Sequence, residues 1–379
     1  MKVLFITYHY LSGNGGGVFA SRAYINAFAE IAEEMTLLFP MNDAMDPTDI
    51  NPKVKLIPVW DRRSSLSKGF GWVVGRTNRF WPIEKHLSNF DFDIAVFDTS
   101  MVTPGILNQI KKKGIKIITI HHNFQYEYYR DNTSGILREP ILFWTKRYER
   151  ESVHKSDLNL TLTQSDLNLL LEHYGGDKKF FDILGTFEYE RRSHEVFPDV
   201  VEPHFLITGN LKAAQSENSL LPWIDDYYPI LKKVFPDATL TLAGRSPSVR
   251  LIEKAKQHGI EIISSPESML PILAQAKYYI CATSLGGGLK LRVMDGLKAG
   301  LPVICHHVSA RGYEVFVEKE LLLVYQDPAS FSKQLEKLKT IKVNKKEAIA
   351  VYENIFSFES GVLRLKNILK KHQLFQNGE

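Results

Sequence analysis

Short, continuous apolar runs alternate with segments of helical period along this chain. In the first half the runs fall at 3–7, 35–39, 54–58, 94–97, 115–120 and 158–162, with helical patterns at 18–32, 105–113 and 165–173 between them. Continuous apolar runs set between helices, rather than alternating ones, mark strands buried on both faces, so a parallel sheet covered on each side is expected. The pattern breaks in a polar, irregular stretch at 188–203 that carries charged runs and prolines. It restarts with runs at 204–208, 239–242, 261–263, 278–281, 303–305 and 321–324, and helical segments at 220–235, 248–258, 269–275 and 291–299. The reading is α/β throughout: two doubly wound domains, 1–195 and 196–357, leaving a cleft between them. Ligands of such sheets bind beyond the C-terminal ends of the strands.

Composition narrows the class only slightly. At 379 residues, 44% hydrophobic, the chain exceeds what one core usually serves. A net charge of +4 is small for a dedicated nucleic-acid binder, and none is expected as a partner. The two cysteines, Cys281 and Cys305, each lie in an apolar run, which gives no disulfide framework and suits a reducing compartment. The opening MKVLFITYHY leads straight into a glycine-rich loop, so it reads as a buried strand of a cytoplasmic protein and not as a secretory signal. No segment approaches the roughly 20 apolar residues of a membrane-spanning helix.

The most informative stretch is TSLGGGLKLRVMDGLKAGLPVIC. A strand runs into Gly286, Gly287 and Gly288, and a helix follows almost at once. Glycines let the backbone approach a ligand closely, and a helix start offers N–H groups and a positive dipole end to a phosphate. Lys290 and Arg292 add positive charge beside it. In one helix they would point about 200° apart, so only one would face the phosphates unless the helix begins after Lys290. Asp295 stands where an acid could accept hydrogen bonds from ribose hydroxyls.

Near the N-terminus, SGNGGGVFAS joins the first strand to the first helix, and Gly16 and Gly17 allow a close loop for a donor phosphate or an acceptor. It is neither a Walker loop nor a dinucleotide fingerprint. His121 and His122 end the run 115–120 at the sheet's C-terminal edge, where an imidazole could meet a sugar or a developing charge. No third residue has metal-ligand spacing to them, and DFD at 91–93 precedes a strand and reads as a solvated turn, so no metal is expected. Residues 60–86 mix Arg and Lys with Trp and Phe. That suits an anionic membrane surface, a glycan stacked on Trp, or an ordinary connection with half-buried aromatics.

GGGLKLRVMDGLKAGLPVIC resembles the donor-binding segment of the family-4 retaining glycosyltransferases with the GT-B fold, in the branch whose motif reads roughly GGGxRLKxLEAxAxGxPVV. PWIDDYYPILKKVFPDATLTLAGRSP, HFLITGN, Gly15–Gly17 and HHNFQYEYYR are similar to further landmarks of that family. The resemblance implies a GT-B fold of two Rossmann-like domains, with a C-terminal helix at about 358–372 returning to the first. It implies donor contacts from Gly16, Gly17, Gly209, Asn210, Arg245, Gly286, Gly287, Gly288, Leu289 and the ribose ligand Asp295. Catalytic roles would go to His122, Lys290 and Arg292.

The implied reaction moves a sugar from a nucleoside-diphosphate sugar to a hydroxyl, with retention and without metal or cofactor. A glycan or lipid-linked acceptor at the cytoplasmic face of a membrane, in surface-polysaccharide synthesis, follows from the branch. The sequence departs from the family pattern in three places. Gly287 replaces the first acid of the Glu-x7-Glu motif, the second acid is Asp295, and GTFEYE stands where an Asn-Gly turn is usual. A silent homologue that binds nucleotide or a partner enzyme, and a sugar-nucleotide epimerase, are the rival readings.

Overall fold

The computed structural model describes residues 1–375 except 14, 42–46, 48, 61–63, 76–90, 193, 213 and 287, with backbone only at 214 and 215. The chain divides into two compact units. Unit 1 is Met1–Arg192 with Gly287–Leu289 and Phe356–Glu379; unit 2 is Ser193–Gly286 with Lys290–Ile355.

Unit 1 is built on β1 (Lys2–Thr7), β2 (Glu34–Met41), β3 (Lys55–Trp60), β4 (Ile94–Asp98), β5 (Lys116–His121), β6 (Leu158–Thr161) and β7 (Phe181–Ile183). They form one parallel sheet in the order β3-β2-β1-β4-β5-β6-β7. The central strands are buried on both faces because helices cover each side, and Val3, Phe5, Phe28, Leu37, Val96 and Ile118 meet in one core. The helix Phe358–Lys371 lies against the helix Gly16–Ile31 and buries Leu365 and Leu369 in the same core. Gly361 permits this approach, since a Cβ there would come 2.1 Å from the ring of Phe187.

Unit 2 repeats the plan with β8 (His204–Asn210), β9 (Thr239–Arg245), β10 (Glu261–Ser264), β11 (Tyr278–Cys281), β12 (Val303–His306) and β13 (Leu322–Tyr325). Their parallel order is β10-β9-β8-β11-β12-β13. In each sheet the chain reverses its direction of travel at one place, β1/β4 in the first and β8/β11 in the second. Crevices open at such points, outside the C-terminal strand ends.

The expected α/β, doubly wound class is the observed one, with differences in detail. The segment 220–235 is two helices, Ala214–Asp226 and Tyr228–Val234, rather than one. Pro229, in the first turn of the second, has no N–H to carry the first helix onward. β3 contains Pro58 and is tolerated because it is the edge strand. β7 has three residues, too few for a periodic signal.

Candidate functional site

In unit 1 the strand ends at the β1/β4 switch point carry chemistry. Thr7 and Asp98 are partners in register at the last rungs of β1 and β4. The buried Asp98 accepts hydrogen bonds from Thr7 Oγ1 (2.7 Å) and Ser21 Oγ (2.5 Å) through Oδ2. Its other oxygen, Oδ1, lies 2.5 Å from His122 Nε2, just beyond β5. Burial alone would raise the Asp98 carboxyl, but His122, His9 and the Ser21 hydroxyl outweigh it and hold it below the usual carboxylate value. An ionised Asp98 can only accept, so it orients the His122 ring with Nε2–H as the donor.

The neighbouring histidine does something else. His121 is fully buried, its Nε2 sits 3.0 Å from Asn159 Oδ1, and burial depresses its pKa to about 4. It is a neutral core residue. The expectation that no third ligand could join a histidine here is corrected by the fold. His9, Asp98 and His122 bring ligand atoms within 4.8 Å of one another, from three strand ends that sequence spacing does not relate.

The glycine-rich loop serves this cluster. Gly16 and Gly17 are the first residues of the helix Gly16–Ile31, whose N-cap, Gly15, has no side chain to satisfy the helix start. A Cβ on Gly17 would meet the His9 ring at 2.6 Å, so this glycine makes room for the imidazole. Beneath the loop, Arg22 Nη2 donates to Leu11 O (2.7 Å) and Gly13 O (3.1 Å) and holds its path. DFD precedes β4 as expected: Asp93 accepts from Lys2 N at 2.7 Å, and Asp91 is exposed on the surface.

A further carboxylate supports the segment after His122. Glu149 is completely buried and accepts from Gln125 N (2.9 Å), Tyr126 N (3.2 Å), Tyr174 OH (3.0 Å) and Ser100 Oγ (3.3 Å). It thereby caps the helix Gln125–Asn132. Burial pushes its pKa up to about 7 despite these bonds.

In unit 2 the predicted residues gather at β8/β11. Gly209 and Asn210 end β8 in register with Gly244 and Arg245, which end β9. Both glycines are required there. A Cβ on Gly244 would lie 1.7 Å from Gly209 O, and one on Gly209 would meet Arg292 Nε at 2.4 Å. The Arg292 guanidinium thus lies against Gly209, and its nitrogens reach Ser216 Oγ (2.5 Å), Thr283 Oγ1 (3.4 Å) and Asn210 O (3.4 Å). Arg245 is exposed at the strand end.

The helix begins at Arg292, after Lys290, so the two cations are not on one helix and need not oppose each other. Lys290 Nζ donates to Gly286 O at 2.9 Å, and Tyr313 OH donates to Lys290 O at 2.9 Å. Gly286 and Gly288 take φ of +81° and +68°, the left-handed region that suits glycine. Gly287 lies outside the described residues, and Leu289 is half-buried. Asp295, one turn into the helix, accepts from Thr208 Oγ1 at 2.8 Å and pairs with Lys298 at 2.9 Å. Gly296 lets that helix sit on the ring of Tyr279, which a Cβ would approach to 2.6 Å.

The predicted site residues therefore form two groups. Gly16, Gly17 and His122 are in unit 1, while Gly209, Asn210, Arg245, Gly286, Lys290, Arg292 and Asp295 are in unit 2; Gly288 and Leu289 group with unit 1. Sequence reasoning missed His9, Asp98, Ser21, Thr208 and Gly244. Asp98 had a signal, an acid closing an apolar run at the sheet's C-terminal edge. The others become visible only through long-range pairing.

Residues 202–340 match the family described as Glycosyl transferases group 1. The chitobiosyldiphosphodolichol beta-mannosyltransferase of Debaryomyces hansenii is 21% identical over 325 residues, covering 76% of this chain and 67% of that one. Among solved structures, Anabaena HepE in complex with UDP has a TM-score of 0.66 at 10% identity, over 98% of this chain and 100% of that one. The apo lipopolysaccharide outer core galactosyltransferase WaaB has a TM-score of 0.65 at 14% identity, over 98% and 99%. The fold is GT-B.

Proposed function

We propose that this chain, a glycosyltransferase of the group 1, GT-B type, transfers a hexose-type sugar from a nucleoside-diphosphate donor to a hydroxyl acceptor with retention. The observation that carries the reading is the convergence of Arg292, Lys290 and Asp295 with the glycine turns at the β8/β11 switch point. Two cations beside left-handed glycine turns suit a diphosphate, and an acid a turn away suits ribose hydroxyls. The UDP-bound HepE, similar in fold, supports a nucleoside-diphosphate donor.

In the proposed reaction the bond from the anomeric carbon to the β-phosphate oxygen breaks. A bond to the acceptor oxygen forms, and the acceptor proton leaves with the diphosphate. Lys290 and Arg292 stabilise the negative charge that develops on the leaving group, with Arg245 assisting. His122, oriented by Asp98, serves the sugar end. Because side-chain cations supply the charge stabilisation, the reaction is read as metal-independent. Retention and a role in surface-polysaccharide synthesis at the cytoplasmic face rest on the family resemblance.

Release of nucleoside diphosphate from a panel of UDP-, GDP- and ADP-sugars, with and without candidate glycan acceptors, tests the reading. Acceptor-dependent release with a glycosylated product is expected. Binding without turnover would favour a silent homologue, the reading that Gly287 in place of an acid suggests. Isomerised donor without acceptor would favour an epimerase.

A further inference from the structure

We propose that unit 1 docks on an anionic lipid surface through an outward face made by the helices Ser65–Val73 and Arg138–Lys155. This goes beyond the transfer reaction and does not depend on it. Leu66, Phe70 and Val73 follow each other at helical spacing and are 87%, 66% and 50% exposed. A surface helix normally turns such a stripe toward the core. This one is fixed the other way round. Its single buried residue is Gly71, and Gly69 is 3.6 Å, by an added Cβ, from Leu137 Cδ1.

Trp72 meets Tyr129 edge-on at 5.4 Å, and Trp144 Nε1 donates to Val73 O at 3.3 Å. With glycines inward and an aromatic anchor, the helix has no larger apolar side to bury, so the stripe is not exposed by a chance rotation. Exposed apolar side chains also stand on the segments packed against this helix. Ile136 is 95% exposed beside Leu137, and Phe143 is 60% exposed against Trp144. Single exposed apolar residues are ordinary, but three at helical spacing on one helix mark an interaction surface.

Charge selects the occupant. The only charged residue of the first helix is Lys68. The second helix exposes Lys146, Arg147 and Arg150, with Arg147 lying over the Trp144 ring at 5.6 Å. The acids of that helix are engaged elsewhere: Glu139 with Arg138, Glu151 with Lys155, and Glu149 in the interior. Two copies of this face would bring cation against cation, whereas an anionic bilayer offers apolar depth to the stripe and negative headgroups to its basic border. No helix among the described residues is long and apolar enough to cross a membrane, which fits a helix lying in the interface. The basic, aromatic stretch expected at 60–86 falls partly outside the described residues, whereas both helices of this face lie within them.

The full chain should co-sediment with vesicles of phosphatidylcholine mixed with phosphatidylglycerol, and much less with phosphatidylcholine alone, the difference shrinking as salt is raised. The triple variant Leu66→Ser, Phe70→Ser, Val73→Ser should bind those vesicles at least tenfold more weakly while its melting temperature and nucleotide binding stay unchanged. Lys146→Glu with Arg147→Glu should remove the salt-sensitive part. Equal binding to both vesicle types, or unchanged binding of the triple variant, would overturn the proposal. So would a concentration-dependent dimer in sedimentation velocity that the triple variant abolishes, since a second copy would then occupy the face.

Discussion

His122 Nε2 lies 2.5 Å from Asp98 Oδ1, and the two residues come from the ends of neighbouring parallel strands, β5 and β4. One carboxylate oxygen is used by Thr7 and Ser21, which leaves the other to orient the imidazole. If the pair acts as a unit, His122→Ala and Asp98→Asn should each lower kcat by about 10²-fold, and the double variant should lose little more than either. Additive losses in steady-state kinetics would show that the two act separately.

The same cluster makes a prediction about metals. No divalent ion is needed for turnover in this account, so activity should survive a chelator. Added zinc should inhibit, because His9, Asp98 and His122 offer three ligand atoms within 4.8 Å, and the chelator should restore activity. His9→Ala should blunt the inhibition. Activity that requires a divalent ion, lost on chelation and regained on its return, would contradict the proposed charge stabilisation by Lys290 and Arg292.

Arg292 lies against Gly209 and donates to three acceptors at once, which a lysine cannot reproduce. Arg292→Lys and Arg292→Ala should both weaken nucleoside-diphosphate affinity, by about 1.5–3 kcal/mol for alanine. Calorimetric titration of the variants reads this directly, and an unchanged dissociation constant for Arg292→Ala would remove Arg292 from the site. The backbone beneath is equally exacting. Gly244→Ala places a methyl group 1.7 Å from Gly209 O and should cost more than about 3 kcal/mol of stability, seen as a lower urea midpoint.

Much of the fold was legible in the sequence because each core strand is a continuous apolar run, as in 3–7 and 94–97, and the parallel plan follows from that alone. The unit 2 residues were legible because glycines, cations and an acid sit within one short stretch around the helix Arg292–Lys298. Asp98 and His9 were not. They lie far from His122 in sequence, and only the strand order β1-β4-β5 makes them neighbours. Gly17 was read as a ligand loop, whereas its described contact is with His9. β7, three residues long, left no periodic trace, and Pro229 divided a helix whose apolar pattern runs on unbroken.

Glu149 predicts a pH dependence. Its folded pKa, about 7, is raised above the ordinary glutamate value of about 4.5 by burial. Its contribution to stability is therefore fully present below about pH 4.5 and is lost as pH rises through about 7, on the order of 3 kcal/mol in all. Glu149→Gln should flatten the stability profile across that window. A Glu149→Gln variant whose urea midpoint varies with pH just as the unmodified protein's does would show that Glu149 is not the titrating group.

In the proposed function unit 2 grips a nucleoside diphosphate through Arg292, Lys290 and Asp295. Isothermal titration of the purified protein with UDP, GDP and ADP tests it most directly. One nucleotide should bind, and Asp295→Ala and Arg292→Ala should each weaken it by tenfold or more without lowering the melting temperature of the free protein. Absence of binding by all three nucleotides, or full affinity in both variants, would contradict it.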